Sequence, residues 1–191
     1  MRLVVGAKAD EYPGFISTDA RSGRAPLDVR RRADWLRYFP PASLDVIVCE
    51  HVLEHMTIGD GLEALRNFRS FLKPGGLARI AVPDAWNPSP AYQSWCAPGS
   101  LGRLLLDDIQ TGPGHVTHYN VAALCSLINE AGLTPRSLEW HDAAGRFWRA
   151  PYDLAAAPIK RRAGSEYARN FFGPVLGFEN TSLIVDAVKG L

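Results

Sequence analysis

The segment from Ser43 to Asp84 constrains the fold more than any other part of the chain. Leu44-Asp45-Val46-Ile47-Val48-Cys49 is an apolar, β-branched run entered through the turn Pro40-Pro41-Ala42-Ser43. Such a continuous run predicts a strand covered on both faces, as in parallel sheets. The period then changes. Leu62, Leu65, Phe68, Phe71 and Leu72 recur at helical spacing, and Lys73-Pro74-Gly75-Gly76 stops the helix. Leu77 to Val82 follows at once as another strand, stopped by Pro83.

The rest of the chain continues the alternation. Leu3–Val5 reads as a buried strand ended by glycine, Phe15–Thr18 as a second strand, and Pro26–Val29 as a third. Val121–Ala131 reads as an amphipathic helix with Ala122, Leu124, Cys125, Leu127 and Ile128 inward and Gly132 as its C-cap. Strands at Ser137–His141 and Ser182–Val188 complete the set. Strands alternating with helices predict an α/β fold: an open, mostly parallel sheet with helices on both faces. The whole chain, 1–191, reads as a single domain with loop insertions around 87–114 and 143–180. Long connections of this kind serve either as binding loops or as cover for the core.

Composition narrows the partners. With 191 residues, 47% of them hydrophobic, the chain suits one domain with a sizeable core. A net charge of +1 supplies no general field for nucleic acid or an anionic membrane. The clusters Arg30-Arg31-Arg32 and Lys160-Arg161-Arg162 read as solvated faces. No stretch approaches the ~20 apolar residues of a membrane span, and the N-terminal apolar run is too short for a signal peptide. Cys49, Cys96 and Cys125 fit neither a disulfide framework nor a zinc knuckle, so reduced thiols and a cytoplasmic location are expected.

Ser43 to His55, the block Phe71-Leu72-Lys73-Pro74-Gly75-Gly76-Leu77, and the strand leading to Pro83-Asp84 closely resemble class I S-adenosylmethionine-dependent methyltransferases. The resemblance is to a compact bacterial branch of the methyltransferase domain type 11 kind. Pro13-Gly14-Phe15-Ile16, Gly114-His115-Val116-Thr117-His118-Tyr119-Asn120 and Ser182–Val188 extend it. It implies a Rossmann-like sheet with an antiparallel last strand, and S-adenosylmethionine bound across the carboxyl ends of the first strands. Gly6 and Ala7 would then approach the methionine part, and Asp19 would take the ribose hydroxyls. Glu50 and His51 would face the sulfonium and the substrate. His51 has the residue chemistry of a general base, and the alternative is that it only shapes the cofactor pocket. Asp84 would line the side of a small-molecule or sugar-like acceptor. His115, His118 and Tyr119 form a polar cluster that either faces that acceptor or hydrogen-bonds the loop before the helix, and Trp86, Tyr92 and Trp95 form either an aromatic wall over the acceptor or the core of a long loop.

Departures from the pattern keep a second reading open. The turn Gly6-Ala7-Lys8 has lost one expected glycine, and Ala7 to Gly14 is too short for a full helix. The alternative is a degenerate methyltransferase fold acting as a non-catalytic binding or partner subunit, and either a homodimer or a partner protein is compatible with the sequence. His51-Val52-Leu53-Glu54-His55 also matches the inverted zinc-protease pattern His-x-x-Glu-His. The strand before it and the Lys-Pro-Gly-Gly block after it argue against that chemistry, and no metal is expected.

Overall fold

The structure is a computed structural model. It describes residues 1–6, 12–18, 26–100, 114–170, 179 and 181–191. Seven strands form one mixed sheet in the order β2-β1-β3-β4-β7-β5-β6. They are β1 Arg2–Val5, β2 Ile16–Thr18, β3 Leu44–Glu50, β4 Leu72–Val82, β5 Thr134–His141, β6 Phe147–Arg149 and β7 Leu183–Val188. β1 pairs in parallel with β2 and β3, and β3 pairs in parallel with β4. β7 lies antiparallel between β4 and β5. This is the α/β architecture that the alternation predicts, with the expected antiparallel last strand.

The helices are α1 Arg32–Tyr38, α2 Ile58–Phe71, α3 Pro90–Cys96, α4 Val121–Glu130 and α5 Glu166–Asn170. Thr57 caps α2 by accepting the Asp60 N–H at 3.1 Å, which satisfies one of the free donors of the first turn. Ala64, Leu65, Phe68 and Phe71 bury against the sheet from α2. The chain leaves α2 straight into β4, whose first part contains Pro74-Gly75-Gly76. Gly75 takes a left-handed φ of +75°, and a Cβ on Gly76 would lie 3.0 Å from the Asp45 carbonyl oxygen. On α4 the inward residues are Leu124, Leu127 and Ile128, whereas Ala122 is exposed. Gly132, at φ +76°, ends the helix as expected.

Pro26–Val29 is not a strand. Leu27 and Val29 are buried, but the Val29 carbonyl accepts from Trp35 Nε1 at 3.0 Å and Asn67 Nδ2 at 2.9 Å. The segment is therefore a loop tied to α1 and α2. Trp35 stacks on Phe71 with ring centroids 5.1 Å apart.

The two faces of the sheet are covered differently. α1, α2 and α4 build the larger core on one face. On the other, Val4, Val48, Ala81, Leu138 and Ile184 are covered by Tyr12 and by Ala157 and Ile159. The connection 150–165 thus does the work that helices do on the first face. Buried carboxylates hold it down. Glu50 accepts the Lys160 and Arg161 N–H groups at 3.0 and 2.8 Å. Glu139 accepts the Tyr152 hydroxyl and the Ala163 N–H, each at 2.8 Å. Backbone donors aimed at an ionised acceptor make strong hydrogen bonds, so an irregular segment can sit on a sheet without regular structure of its own.

Candidate active site

The carboxyl ends of β1, β3, β4 and β5 and the start of β7 form one edge of the sheet, as the registers Val5↔Cys49, Glu50↔Ala81, Val82↔Leu183 and Glu139↔Ile184 require. Gly6 turns the chain there at φ +72°, donating its N–H to the Thr18 carbonyl at 2.8 Å. A Cβ on Gly6 would sit 2.5 Å from Val52 Cγ2, so the turn after β1 packs directly on the segment after β3. His51 is also left-handed, at φ +55°. A non-glycine residue in this region is strained, and such strain gathers at functional sites. These two turns fit the backbone-lined edge that an S-adenosyl group requires. Ala7 and Asp19 lie outside the described residues.

His51 is half-buried. Its Nδ1 lies 2.8 Å from Glu54 Oε1 and its Nε2 lies 2.9 Å from Ser182 Oγ. Burial, helped by the Arg161 charge, holds its pKa below the ordinary value against the pull of Glu54. Glu50, expected to face the sulfonium, has its carboxylate engaged within the protein. It is buried, and its carboxylate takes the Tyr12 hydroxyl at 2.6 Å as well as the Lys160 and Arg161 N–H groups, with the Arg161 guanidinium 3.5 Å away. With its oxygens engaged internally, Glu50 holds the connection over the sheet.

Asp84 is buried, and its carboxylate is engaged within the protein. Its Oδ1 accepts the Trp86 N–H at 3.0 Å, and its Oδ2 accepts the backbone and Nδ1 N–H groups of His141 at 2.8 and 2.9 Å. Trp86 is half-buried beside it. Tyr119 is fully buried in the main core, and its hydroxyl lies 3.0 Å from where a Cβ on Gly61 would stand. Its position in the core agrees with the structural alternative for this cluster, and its buried hydroxyl has no hydrogen-bond partner among the described residues. His118 is half-buried, with Nε2 lacking a hydrogen-bond partner among the described residues. Burial, then the nearby His115, lower its pKa.

A cleft of about 290 Å³ opens on the same edge, lined by Asn87, Ser89, Tyr92, His141, Phe147, Ala163, Glu179 and Thr181. Tyr92 donates its hydroxyl to the Thr181 carbonyl at 2.9 Å and receives the Asp84 N–H at 3.0 Å. His141 is the residue that sequence reasoning missed. Its signal was its place as the last residue of a strand, since ligands of open α/β sheets collect at strand ends.

The His-x-x-Glu-His pattern does not form a protease-like metal face. Leu53–His55 is one short 3₁₀ turn rather than an α-helix, so residues four apart do not stack. His51 instead turns to Glu54 and Ser182.

The sheet order, the glycine turn and the strand-end edge together define a Rossmann-like methyltransferase fold. Residues 9–138 match the family described as methyltransferase domain, and the chain belongs to that family, within the class I S-adenosylmethionine-dependent methyltransferases. No curated protein matches the chain. Among solved structures, it is similar to the YcgJ protein of Bacillus subtilis, with 17% identity and a TM-score of 0.55, covering 100% of this chain and 92% of that one. It is also similar to 1,6-didemethyltoxoflavin-N1-methyltransferase of Burkholderia thailandensis, solved with 1,6-didemethyltoxoflavin and S-adenosylhomocysteine. There the identity is 15% and the TM-score 0.53, covering 100% of this chain and 71% of that one. A third is a SAM-dependent methyltransferase of Archaeoglobus fulgidus, with 15% identity and a TM-score of 0.50, covering 98% and 85%. At these identities the likeness is one of fold. No helix among the described residues is long and apolar enough to cross a membrane.

Proposed function

We propose that the chain transfers a methyl group from S-adenosylmethionine to a small-molecule acceptor seated in the cleft at the ends of β4 and β5. The observation that carries this reading is the Asp84–His141 pair. Asp84 Oδ2 accepts from His141 Nδ1, which leaves Nε2 as the lone-pair nitrogen of a neutral ring. His141 lines the cleft together with Tyr92 and Phe147, so an acceptor ring or chain would lie against aromatic walls with a base beside it. An acceptor hydroxyl or amine would pass its proton to His141 Nε2 as its lone pair bonds the methyl carbon, whose bond to the cofactor's sulfur would break with the electron pair left on sulfur. When bound, the cofactor supplies the electrophilic methyl group. The chain's part is to orient the acceptor and exclude water.

Gly6, Ala7, Asp19 and His51 are the residues proposed to hold the cofactor. The chain is taken as a single domain over 1–191. Its free thiols, Cys49, Cys96 and Cys125, suit the reducing cytoplasm. Ligand at about a hundred times its dissociation constant should stabilise the fold by ~2.7 kcal/mol, a melting shift of roughly 5–10 °C. Asp19→Asn should weaken that binding by ~1–3 kcal/mol while the protein stays folded. A flat melting curve and blank calorimetry at millimolar S-adenosylmethionine and S-adenosylhomocysteine would reject the reading in favour of a non-catalytic subunit.

A further inference from the structure

Glu54, His55 and His115 converge outside the cleft that His141 lines, with Glu54 in contact with His51. Each offers one ligand atom, and the three atoms lie within 4.8 Å of one another. Glu54 is completely buried. Its Oε2 receives no hydrogen bond among the described residues, and Oε1 has His51 Nδ1 at 2.8 Å. The two imidazoles meet edge to face, with ring centroids 5.1 Å apart.

Their outer contacts decide which nitrogens are available. His115 Nδ1 lies 2.5 Å from the Cys96 carbonyl oxygen, and His55 Nδ1 lies 3.3 Å from that of Gly114. A ring nitrogen facing a carbonyl carries the proton, so Nε2 of each neutral ring carries the lone pair. Histidine ligands of metals are held in this way, donating one N–H to a backbone carbonyl while the other nitrogen binds. The backbone fixes the approach as well. Val116 and Thr117 donate to the Glu54 carbonyl at 2.7 and 3.0 Å, and Thr117 Oγ1 donates to the Met56 carbonyl at 2.6 Å. His115 is therefore stapled beside the Leu53–His55 turn.

We propose that Glu54, His55 and His115 form a zinc site that clamps the segment before α4 onto the turn after β3. Two imidazoles and a carboxylate suit zinc, with water completing a tetrahedron. Bonds of about 2.0–2.1 Å place tetrahedral ligands roughly 3.4 Å apart. The site differs from the His-x-x-Glu-His reading, since it takes Glu54 as a ligand and leaves His51 to Ser182.

The test uses the full chain, stripped with a chelator and titrated with zinc chloride or cobalt(II) chloride in the absence of S-adenosylmethionine. One zinc per chain is expected, with a raised melting temperature and the visible bands of four-coordinate cobalt. His115→Ala should weaken zinc binding by about a hundredfold or more. His115→Cys, which restores a ligand, should keep it, and His118→Ala should bind as the wild type does. Absence of stoichiometric zinc in the folded wild type would overturn the proposal, as would unchanged affinity in His115→Ala or a six-coordinate cobalt spectrum. Because no cofactor is present, each result is independent of whether the chain transfers methyl groups.

Discussion

Arg79 and Asp186 face each other across the antiparallel β4–β7 pair and join through two hydrogen bonds, Nε to Oδ1 at 2.7 Å and Nη2 to Oδ2 at 2.9 Å. Nη1 donates to the Asp153 and Ala157 carbonyls at 2.6 Å each. One buried guanidinium thus ties two strands to the connection that covers them. Arg79→Met should cost about 3–5 kcal/mol, because it leaves the Asp186 charge buried and unpaired. Replacing both, as Arg79→Met with Asp186→Leu, should recover much of that loss. Urea denaturation of the two variants measures the difference, and equal losses would remove the pair from this role.

Gly6→Ala tests the turn after β1. A left-handed backbone costs an L-residue roughly 1–2 kcal/mol, and here the new methyl would also meet Val52 Cγ2 at 2.5 Å. We expect a loss of about 2–3 kcal/mol. Adding Val52→Ala should relieve the collision and leave only the backbone part. A double variant no more stable than Gly6→Ala would place the cost elsewhere.

His51 offers the complementary experiment, since a non-glycine residue occupies the left-handed region there. His51→Ala and His51→Gly lose the same contacts to Ser182 and Glu54. Glycine additionally releases the strain. His51→Gly should therefore be more stable than His51→Ala by about 1 kcal/mol, the reverse of the order in an ordinary helix or strand. Thermal melts of the pair give the sign directly.

These turns also show what a sequence can disclose. The strand–helix–strand unit from Leu44 to Val82 was legible because Val46–Val48 and the Leu62–Phe71 spacing report burial directly. α1 was not, since Trp35 is its one buried residue and Arg31 provides no side-chain cap. Leu27 and Val29 are spaced like a strand, yet the Val29 carbonyl is taken by Trp35 and Asn67. Site residues whose role lies in the backbone, such as Gly6 and His51, could be placed at strand ends. Glu50 and Asp84 could not be assigned partners, because those partners are set by folding of distant segments around Arg161 and His141.

Glu50→Gln separates the role read from sequence from the role seen in the structure. A residue facing the sulfonium would, on losing its charge, weaken cofactor binding and leave stability almost untouched. The structure instead shows Glu50 accepting from Tyr12, Lys160 and Arg161, with the Arg161 guanidinium close by. The substituted amide presents N–H groups toward donors, so at least one of these bonds is lost and the Arg161 charge goes unanswered. A hydrogen bond to a charged group is worth about 1.5–3 kcal/mol, and the loss of stability should be of that size. Hydrogen exchange should quicken at the amides of Lys160 and Arg161, while those of α2 and α4 keep their protection relative to global unfolding. Unchanged stability together with weakened S-adenosylmethionine binding would return Glu50 to the cofactor site.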